Sequence, residues 1–322
     1  MGTALALLLL ALICAATMGF AITRGATCMV AAVDEIYRGR GCRRILALAE
    51  AALWVAGGLS VAALAGLMPR APAAHAIGMA TILGGALLGI GAFVNRACVF
   101  GSVARLGAGE WHYLMTPLGF LAGCLVLQPL AATALGTHDA MTGFPVLPAF
   151  VLLALLAFAL FRGFGFSAAA RRGQLADHFW SPHLATSVIG VAFVILLLTA
   201  GAWTYPEALI ELSRGMTMQS ALRVSLFLSL LGGAVLGGWG RAVTGGRGWS
   251  NGGALRCFGG GVLMGLGSLL IPGGNDNLIL VGLPFLLPYA WVAIGVMFLS
   301  IWGCMALGDG LTRALASTRA ES

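Results

Sequence analysis

Two glycine-rich stretches with nearly the same sequence decide how this chain is organised. Gly84–Gly91 reads GGALLGIG and Gly260–Gly267 reads GGVLMGLG, so five of the eight positions are identical and the other three are apolar in both. The offset between them is 260 − 84 = 176, and it also places Glu35 on Glu211. Because a repeat at a fixed period defines the architecture of a whole chain, we take it as the frame for the remaining sequence.

The composition excludes a water-soluble globular protein. Of the 322 residues, 60% are hydrophobic and only 9% are charged, whereas a soluble domain carries about 25% charged residues. All 18 basic residues are arginines and the net charge is +7. These arginines lie in short gaps between apolar runs, which is typical of a membrane protein rather than a nucleic-acid-binding one. We therefore predict an all-α, polytopic membrane protein that contacts membrane lipids and no nucleic acid.

Nine transmembrane helices are predicted, since about 20 apolar residues are needed to cross a bilayer. They are expected at about residues 2–22, 45–68, 77–95, 114–135, 146–165, 183–203, 219–240, 255–271 and 282–307. If alternate loops face the cytoplasm, 15 arginines lie there and three lie outside, at Arg70, Arg214 and Arg223. The positive-inside rule then predicts a multi-pass protein of the inner (plasma) membrane, with its N-terminus outside and its C-terminus in the cytoplasm.

The repeat predicts two halves within a single transmembrane domain that covers residues 1–322. The N-terminal half is expected at residues 1–165 and the C-terminal half at residues 183–308. Because five spans, an odd number, precede the boundary, the two halves must be inserted with opposite orientation. Inverted repeats are typical of secondary transporters, whose substrate site lies near the bilayer midplane where the halves meet.

The first candidate site follows the first span, where residues 24–35 read RGATCMVAAVDE. This segment is too short to cross a bilayer, and a re-entrant turn would present Cys28 at its tip. A helix that starts near Thr27 would direct its N-terminal amides at Cys28, and Arg24 would add a full charge, so that an anion is attracted. An amphipathic interfacial helix with an ordinary cysteine explains the same spacing, and the residues favour neither interpretation.

The second candidate site lies at residues 91–102, which read GAFVNRACVFGS. An apolar helix runs into Asn95, Arg96 and Cys98, and we expect it to break at Gly101. Discontinuous helices with polar residues at the break indicate a transporter site. The alternative is a plain helix end from which Arg96 extends towards the water boundary.

The third candidate site is found by applying the repeat offset to Cys98, which leads to Gly274. Residues 271–278 read IPGGNDNL, so an apolar helix again meets a Gly/Pro break that is followed by polar side chains. Asp276 in so hydrophobic a chain is costly unless it is functional or lies at the water boundary. A solvated outer turn therefore remains the alternative.

Other kinds of site find no support in the sequence. The seven cysteines are scattered and form no paired disulfide framework. No spacing resembles a zinc or haem motif, and there is no Walker A sequence, nucleophile elbow or dinucleotide fingerprint. We expect no metal, no cofactor and no enzymatic activity.

At Arg24–Met29 (RGATCM), at Asn95–Ser102 (NRACVFGS) and at the repeated glycine-rich helix, the chain resembles the YeeE/YedE family of membrane sulphur-transport proteins. The resemblance implies an inverted-repeat bundle with short re-entrant helices that meet at a central constriction. It further implies transport of a small sulphur-containing anion, thiosulfate or a related species. The anion would pass along cysteine thiols through transient S–H···S contacts without a covalent intermediate, and Cys28 and Cys98 are the thiols of that path.

One departure from the family pattern affects the substrate. The family places a further cysteine after a Gly-Gly pair, whereas here Gly273 and Gly274 are followed by Asn275–Asn277. Cys257 lies too far before Gly274 in the sequence to replace it. Amide side chains donate hydrogen bonds to an oxyanion, while a carboxylate repels one unless an arginine pairs with it. The missing thiol leaves open another sulphur species or a differently gated path.

The predicted substrate path comprises nine residues: Cys28, Cys98, Arg24, Asn95, Arg96, Gly274, Asn275, Asp276 and Asn277. The resemblance also implies a small soluble sulphur-carrier protein as a partner at the arginine-rich cytoplasmic face. A membrane thiol redox protein and a purely structural membrane subunit are the alternative functions.

Overall fold

The computed structural model describes residues 2–26, 28–67, 75–134, 149–171, 181–201, 203–215, 220–239, 248–271 and 273–320. Over these residues the chain is all-α, and its elements are helices with one 3-10 turn and one π turn. In chain order they are α1 (Gly2–Gly25), α2 (Met29–Tyr37), α3 (Arg43–Leu64), α4 (Met79–Asn95), α5 (Val99–Gly107), the 3-10 turn (Trp111–Leu114), α6 (Met115–Ala134), α7 (Ala149–Arg171), α8 (Pro182–Ala200), α9 (Tyr205–Ser213), α10 (Ser220–Gly238), α11 (Asn251–Leu270), α12 (Asn275–Asn277) with the π turn (Leu278–Gly282), and α13 (Pro288–Ala320).

Helices of membrane-spanning length dominate the fold. Within the described residues, seven helical stretches are long and apolar enough to cross a bilayer: Leu5–Tyr37, Arg43–Leu64, Met79–Gly107, Pro182–Ser213, Ala221–Gly238, Asn251–Leu270 and Pro288–Arg313. Two further apolar helices, Trp111–Leu127 and Leu152–Phe164, are shorter over the part in which side chains are described. Each of the nine predicted spans thus contains a helix, and nine complete crossings remain a prediction.

The predicted start of the last span is wrong. Hydropathy places it at residue 282, but α12 and the π turn occupy residues 275–282, and α13 begins only at Pro288. A proline is accommodated in the first turn of a helix, where its missing N–H leaves no hydrogen bond unmade. Apolar composition continues across this boundary, and hydropathy alone therefore places the helix start too early.

Four long helices are interrupted, and each is followed after a few residues by a short helical segment. The pairs are α1 with α2, α4 with α5, α8 with α9, and α11 with α12. The described residues of each interruption include one with positive φ: Ala26 (48°), Arg96 (59°), Gly201 (82°) and Gly273 (74°). At Arg96, which is left-handed (φ 59°, ψ 17°), α4 can no longer continue its i to i−4 hydrogen bonds, whereas α11 ends at the extended Ile271 (φ −132°, ψ 145°). The interruptions are thus built into the backbone.

The two repeated glycine stretches pack directly against each other, in α4 and α11. A Cβ atom at Gly84 would lie 2.9 Å from the Gly267 carbonyl oxygen, and one at Gly267 would lie 2.7 Å from the Gly84 oxygen. Gly91 and Gly260 repeat this reciprocal approach at 2.8 and 2.7 Å. Only glycine allows the backbones this close. The first glycine of each stretch therefore faces the last glycine of the other.

The remaining long helices are arranged around two central contacts. α1 packs on α8 and α4 packs on α11, while α10 lies on α1, α3 on α8, α6 on α11 and α13 on α4. Every flanking contact thus has a counterpart in the other half, at the offset of the glycine repeat. Within this arrangement the residues at the starts of the four short segments, Cys28, Cys98, Thr204 and Asn275, are buried.

A buried carboxylate that sequence reasoning missed connects α3 with α7 and α8. Glu50 accepts a hydrogen bond from Arg162 Nη2 at 2.6 Å and from Ser187 Oγ at 3.0 Å, and His183 Nδ1 lies 2.8 Å from its Oε2. Because a buried charge is stable only when it is paired and hydrogen-bonded, this cluster fixes α7 against the bundle.

Candidate functional site

The two cysteines of the predicted path lie at the first residues of two short helices. Cys28 precedes α2 in an extended conformation (φ −155°, ψ 130°), and Cys98 precedes α5 (φ −73°, ψ −178°). Neither side chain caps its own helix. Instead, the Met29 N–H donates to Cys98 Sγ at 3.2 Å, and the Cys98 N–H donates to Cys28 Sγ at 3.4 Å. Each thiol therefore lies at the N-terminus of the other cysteine's helix.

The two thiols are buried together at the N-termini of two helices. Cys98 is fully buried, Cys28 is 8% exposed, and the two thiols lie within hydrogen-bond reach of each other. Backbone N–H groups and the partial positive charge of a helix N-terminus favour an anion or a thiolate at this place. The arrangement is chemically suited to hold a soft anion for a short time.

The space for the Cys28 thiol is created by Gly101. A Cβ atom at Gly101 would lie 2.5 Å from Cys28 Sγ and 3.0 Å from Cys28 Cβ. The expected helix break at Gly101 is wrong, because α5 runs without interruption from Val99 to Gly107 and the break lies before Cys98. Gly101 is needed for close packing against the thiol and does not end the helix.

The polar residues at the start of α12 lie next to the two cysteines. The Val99 N–H donates to Asn275 Oδ1 at 3.3 Å, between residues that the repeat offset relates to each other. The Tyr205 hydroxyl donates to the Val99 carbonyl oxygen at 3.3 Å, and a Cβ atom at Gly274 would lie 3.0 Å from Pro206 Cγ. The starts of α5, α9 and α12 therefore meet, next to the thiol pair.

Several polar atoms around this meeting point lack a partner. Twelve buried side-chain atoms of the described residues form no hydrogen bond, and six of them lie near this point: Trp203 Nε1, Thr204 Oγ1, Glu207 Oε2, Ser268 Oγ, Asn275 Nδ2 and Asp276 Oδ1. These six belong to the interruptions that precede α9 and α12, or to the segments on either side of them. An unsatisfied buried polar group costs about 1–3 kcal/mol, and such groups typically contact water or a ligand.

Asn95 is engaged in internal hydrogen bonds. Its Nδ2 donates to the Ala97 carbonyl oxygen at 2.8 Å, and its Oδ1 accepts from Thr116 Oγ1 at 3.0 Å. Its backbone oxygen accepts from the Tyr113 hydroxyl at 3.1 Å. These bonds hold the interruption between α4 and α5, and through it the position of Cys98.

The two arginines of the predicted path lie at helix ends. Arg24 is in the last turn of α1, half-buried, with its guanidinium 5.4 Å from the centre of the Phe20 ring. Arg96 ends α4 and its side chain is exposed. Asn277 is buried against Gly273, where a Cβ atom would lie 2.5 Å from the Asn277 Cβ. The structure thus assembles Cys28, Cys98, Gly274 and Asn275, with Asn95 supporting them and Arg96 on the surface.

Sequence reasoning missed Thr204, Tyr205 and Ser268. The repeat offset contained the signal for two of them, since 28 + 176 is 204 and 29 + 176 is 205. Thr204 thus precedes α9 as Cys28 precedes α2. No group of three or more His, Cys, Asp or Glu side chains that could hold a metal ion occurs in the described part of the chain.

Comparison with known proteins identifies the family. The model of a family described as sulphur transport matches residues 24–303, from the end of α1 into α13. The chain is a member of the YeeE/YedE sulphur-transport family. Its membrane-length helices and this family membership together support a multi-pass membrane protein that transports a sulphur compound, and transport rather than catalysis. No curated protein matches the chain.

Proposed function

We propose that this chain moves a small sulphur-containing anion, thiosulfate or a related species, across the inner membrane through a thiol-lined path. The observation that carries the proposal is the reciprocal contact of Cys28 and Cys98, each thiol accepting the N–H at the start of the other's helix. Membership of a sulphur-transport family supports a sulphur compound as the substrate that contacts these thiols.

The physical requirement is an exchange of water for protein donors. A bare anion in a low-dielectric interior is prohibitively unstable, so hydrogen-bond donors must replace its hydration shell. Thiols are weak donors, and a site that binds an ion too tightly does not conduct it. Cys28 and Cys98 thus lower the barrier without trapping the anion, while the N-termini of α2 and α5 supply partial positive charge.

The other residues of the path act around this pair. The free Nδ2 of Asn275 donates to an oxygen of the anion, while Gly274 leaves the space beside it. Asn277 supports the turn at Gly273. Arg24 and Arg96 attract the anion at the mouths of the path, and Asn95 positions Cys98 from outside it.

We further propose that the two halves, residues 1–165 and 183–308, are inverted repeats, and that the short helices are re-entrant. The reciprocal contact of the two glycine stretches supports this, because a two-fold axis produces contacts of that kind. The residues that start the four short segments support it too, since Cys28 and Cys98 correspond by the offset to Thr204 and Gly274. The distribution of the arginines supports an N-terminus outside and a C-terminus in the cytoplasm.

A small soluble sulphur-carrier protein is proposed as a partner at the cytoplasmic face. The connection between α2 and α3 presents exposed Arg38, Arg40 and Arg43 there. Asp34 pairs with Arg38 and Arg40, so a partner with acidic groups would compete for these arginines.

A membrane thiol redox protein is the second candidate, because the two thiols lie within hydrogen-bond reach. In that case a disulfide forms between Cys28 and Cys98, and the two protons and two electrons that they lose reduce a disulfide-type oxidant to two thiols. Both cysteines are free in this structure. Titration of purified protein before and after exposure to oxidised glutathione decides this: seven free thiols in both samples eliminate the redox function.

Uptake of labelled thiosulfate into proteoliposomes tests the transporter. Cys28→Ala and Cys98→Ala are each expected to lower the initial rate by about tenfold or more, equivalent to about 1.4 kcal/mol of barrier. Cys28→Ser and Cys98→Ser keep a hydrogen-bond donor but remove the sulphur atom. They therefore show whether transport requires sulphur or only a donor. Cys124→Ala is the matched control, since Cys124 is fully buried in α6.

Competition with unlabelled sulfate, sulfite and selenite defines the substrate class. Normal thiosulfate uptake by both Cys28→Ala and Cys98→Ala would show that the anion does not pass along these thiols. Failure of the wild-type protein to take up thiosulfate, together with no binding of the competitors, would remove the substrate class.

A further inference from the structure

Asp276 lies directly after Asn275 at the start of α12. Its side chain is 2% exposed, and its Oδ1 has no hydrogen-bond partner. Among the described residues it forms no ion pair. An ionisable residue buried at membrane depth without a counter-ion is costly, and such residues mark ion or proton pathways.

The titratable groups that act on Asp276 in the described part of the chain include no cation. Glu207 of α9 acts on it as a like charge, and the backbone N–H groups of Asp276 and Asn277 lie against its carboxylate. Tyr205 and Cys98 belong to the same surroundings. Among the described residues, Arg223 instead pairs with Glu211, 2.9 Å away.

A negative Asp276 conflicts with the proposed cargo. The Asn275 side chain next to it touches the start of α5 at Val99, so the carboxylate stands beside the route of an anion. Two like charges in a region of low dielectric repel strongly. A neutral carboxyl group would instead donate a hydrogen bond to the anion, as the unpaired Thr204 hydroxyl and Asn275 amide nearby also can.

We propose that Asp276 is a proton-binding site that couples anion transport to proton transport, an inference that rests on the proposed function. A proton from the outer side binds the Asp276 carboxylate and makes it neutral. The anion then passes while it accepts a hydrogen bond from the carboxyl O–H. The proton leaves to the cytoplasm after the anion and regenerates the carboxylate, so that one proton enters with each anion and nothing is oxidised or reduced.

The test uses the full chain in proteoliposomes that contain a pH-sensitive dye. Addition of thiosulfate outside the wild-type vesicles is expected to acidify the lumen. Above the pKa of Asp276 the protonated fraction falls about tenfold for each pH unit, so thiosulfate uptake should fall in parallel. Asp276→Asn, which is permanently neutral, is expected to show uptake that no longer varies with pH and no acidification.

Two variants serve as comparisons for the proton site. Glu207→Gln removes the neighbouring carboxylate and is expected to keep the acidification. Asp309→Asn removes a carboxylate of α13 that accepts a hydrogen bond from the Tyr37 hydroxyl at 3.2 Å, and it should match the wild type.

The outcomes distinguish this inference from the proposed function. Wild-type uptake of thiosulfate without acidification overturns the proton coupling and leaves the transporter intact, whether or not Asp276→Asn inserts. Loss of acidification in Glu207→Gln with its retention in Asp276→Asn also overturns the assignment. If the wild type takes up no thiosulfate between pH 5 and pH 9 and binds none of the competitors, the proposed function itself fails.

Discussion

Replacement of Gly101 by alanine adds one methyl group at the point where α5 passes Cys28. That Cβ atom would lie 2.5 Å from Cys28 Sγ and 3.2 Å from the Ala97 Cβ. Non-bonded heavy atoms are stable only at about 3.5–4.0 Å, so the thiol must retreat by about 1 Å. The Cys28 side chain has one rotatable bond, and its retreat breaks the 3.4 Å contact with the Cys98 N–H.

The expected effect on stability is small because two contributions oppose each other. Overpacking costs about 1–3 kcal/mol, whereas alanine in place of glycine inside a helix stabilises it by about 1 kcal/mol. The free energy of unfolding should therefore fall by about 0–2 kcal/mol. In the proposed path the transport rate depends on the position of the thiol itself, and a misplacement of about 1 Å at a functional group can cost about 100-fold in rate. We expect uptake to fall at least tenfold.

Initial rates of labelled thiosulfate uptake, normalised to inserted protein, measure the effect on transport, and thermal unfolding in detergent measures the effect on stability. Gly259→Ala in α11 is the matched control, because nothing lies within 4 Å of a Cβ atom there. It should transport normally and unfold at an equal or higher temperature. Wild-type uptake by Gly101→Ala, in a protein whose Cys28→Ala variant is defective, would refute the reasoning.

Two further substitutions probe the contact between α4 and α11. Gly260→Ala would place a Cβ atom 2.7 Å from the Asn95 Cβ, so we expect a loss of about 1–3 kcal/mol in unfolding free energy. Its apparent melting temperature in detergent should lie below that of Gly259→Ala, and equal values would contradict the close packing. Asn95→Ala leaves the Thr116 hydroxyl without its acceptor and should cost about 1–3 kcal/mol together with a loss of uptake, as Cys98 loses its support. Asn251→Ala, at an exposed helix start, is the control, and an Asn95→Ala protein as stable as this control would show that the bond is unimportant.

Local properties of the sequence were sufficient for the general architecture. Apolar runs predicted a helix within each expected span, because the length of a span follows from the thickness of a bilayer, although the last helix was predicted to start too early. The repeat of glycines predicted a relation between the halves, and the structure places Gly84 against Gly267. The polar residues after α4 and α11 were recognised as breaks, although the break was placed at Gly101 rather than before Cys98.

Contacts between residues that are far apart in the sequence could not be predicted from local sequence properties. Met29 and Cys98 lie in different broken helices, and Val99 and Asn275 lie in different halves of the chain, so no local pattern encodes their meeting. Tyr205 was not predicted, because the sequence around a tyrosine does not show which group its buried hydroxyl will contact.

The sequence by itself determined that this chain is a helical membrane protein with interrupted helices and two cysteines at two of the interruptions. Composition and hydropathy act residue by residue, and they need no knowledge of packing. Only the tertiary structure decided that Cys28 and Cys98 meet, that Asn275 binds the neighbouring Val99, and that Asp276 forms no ion pair with any described residue. The reason is physical, because the environment of a polar group depends on which helix packs against it.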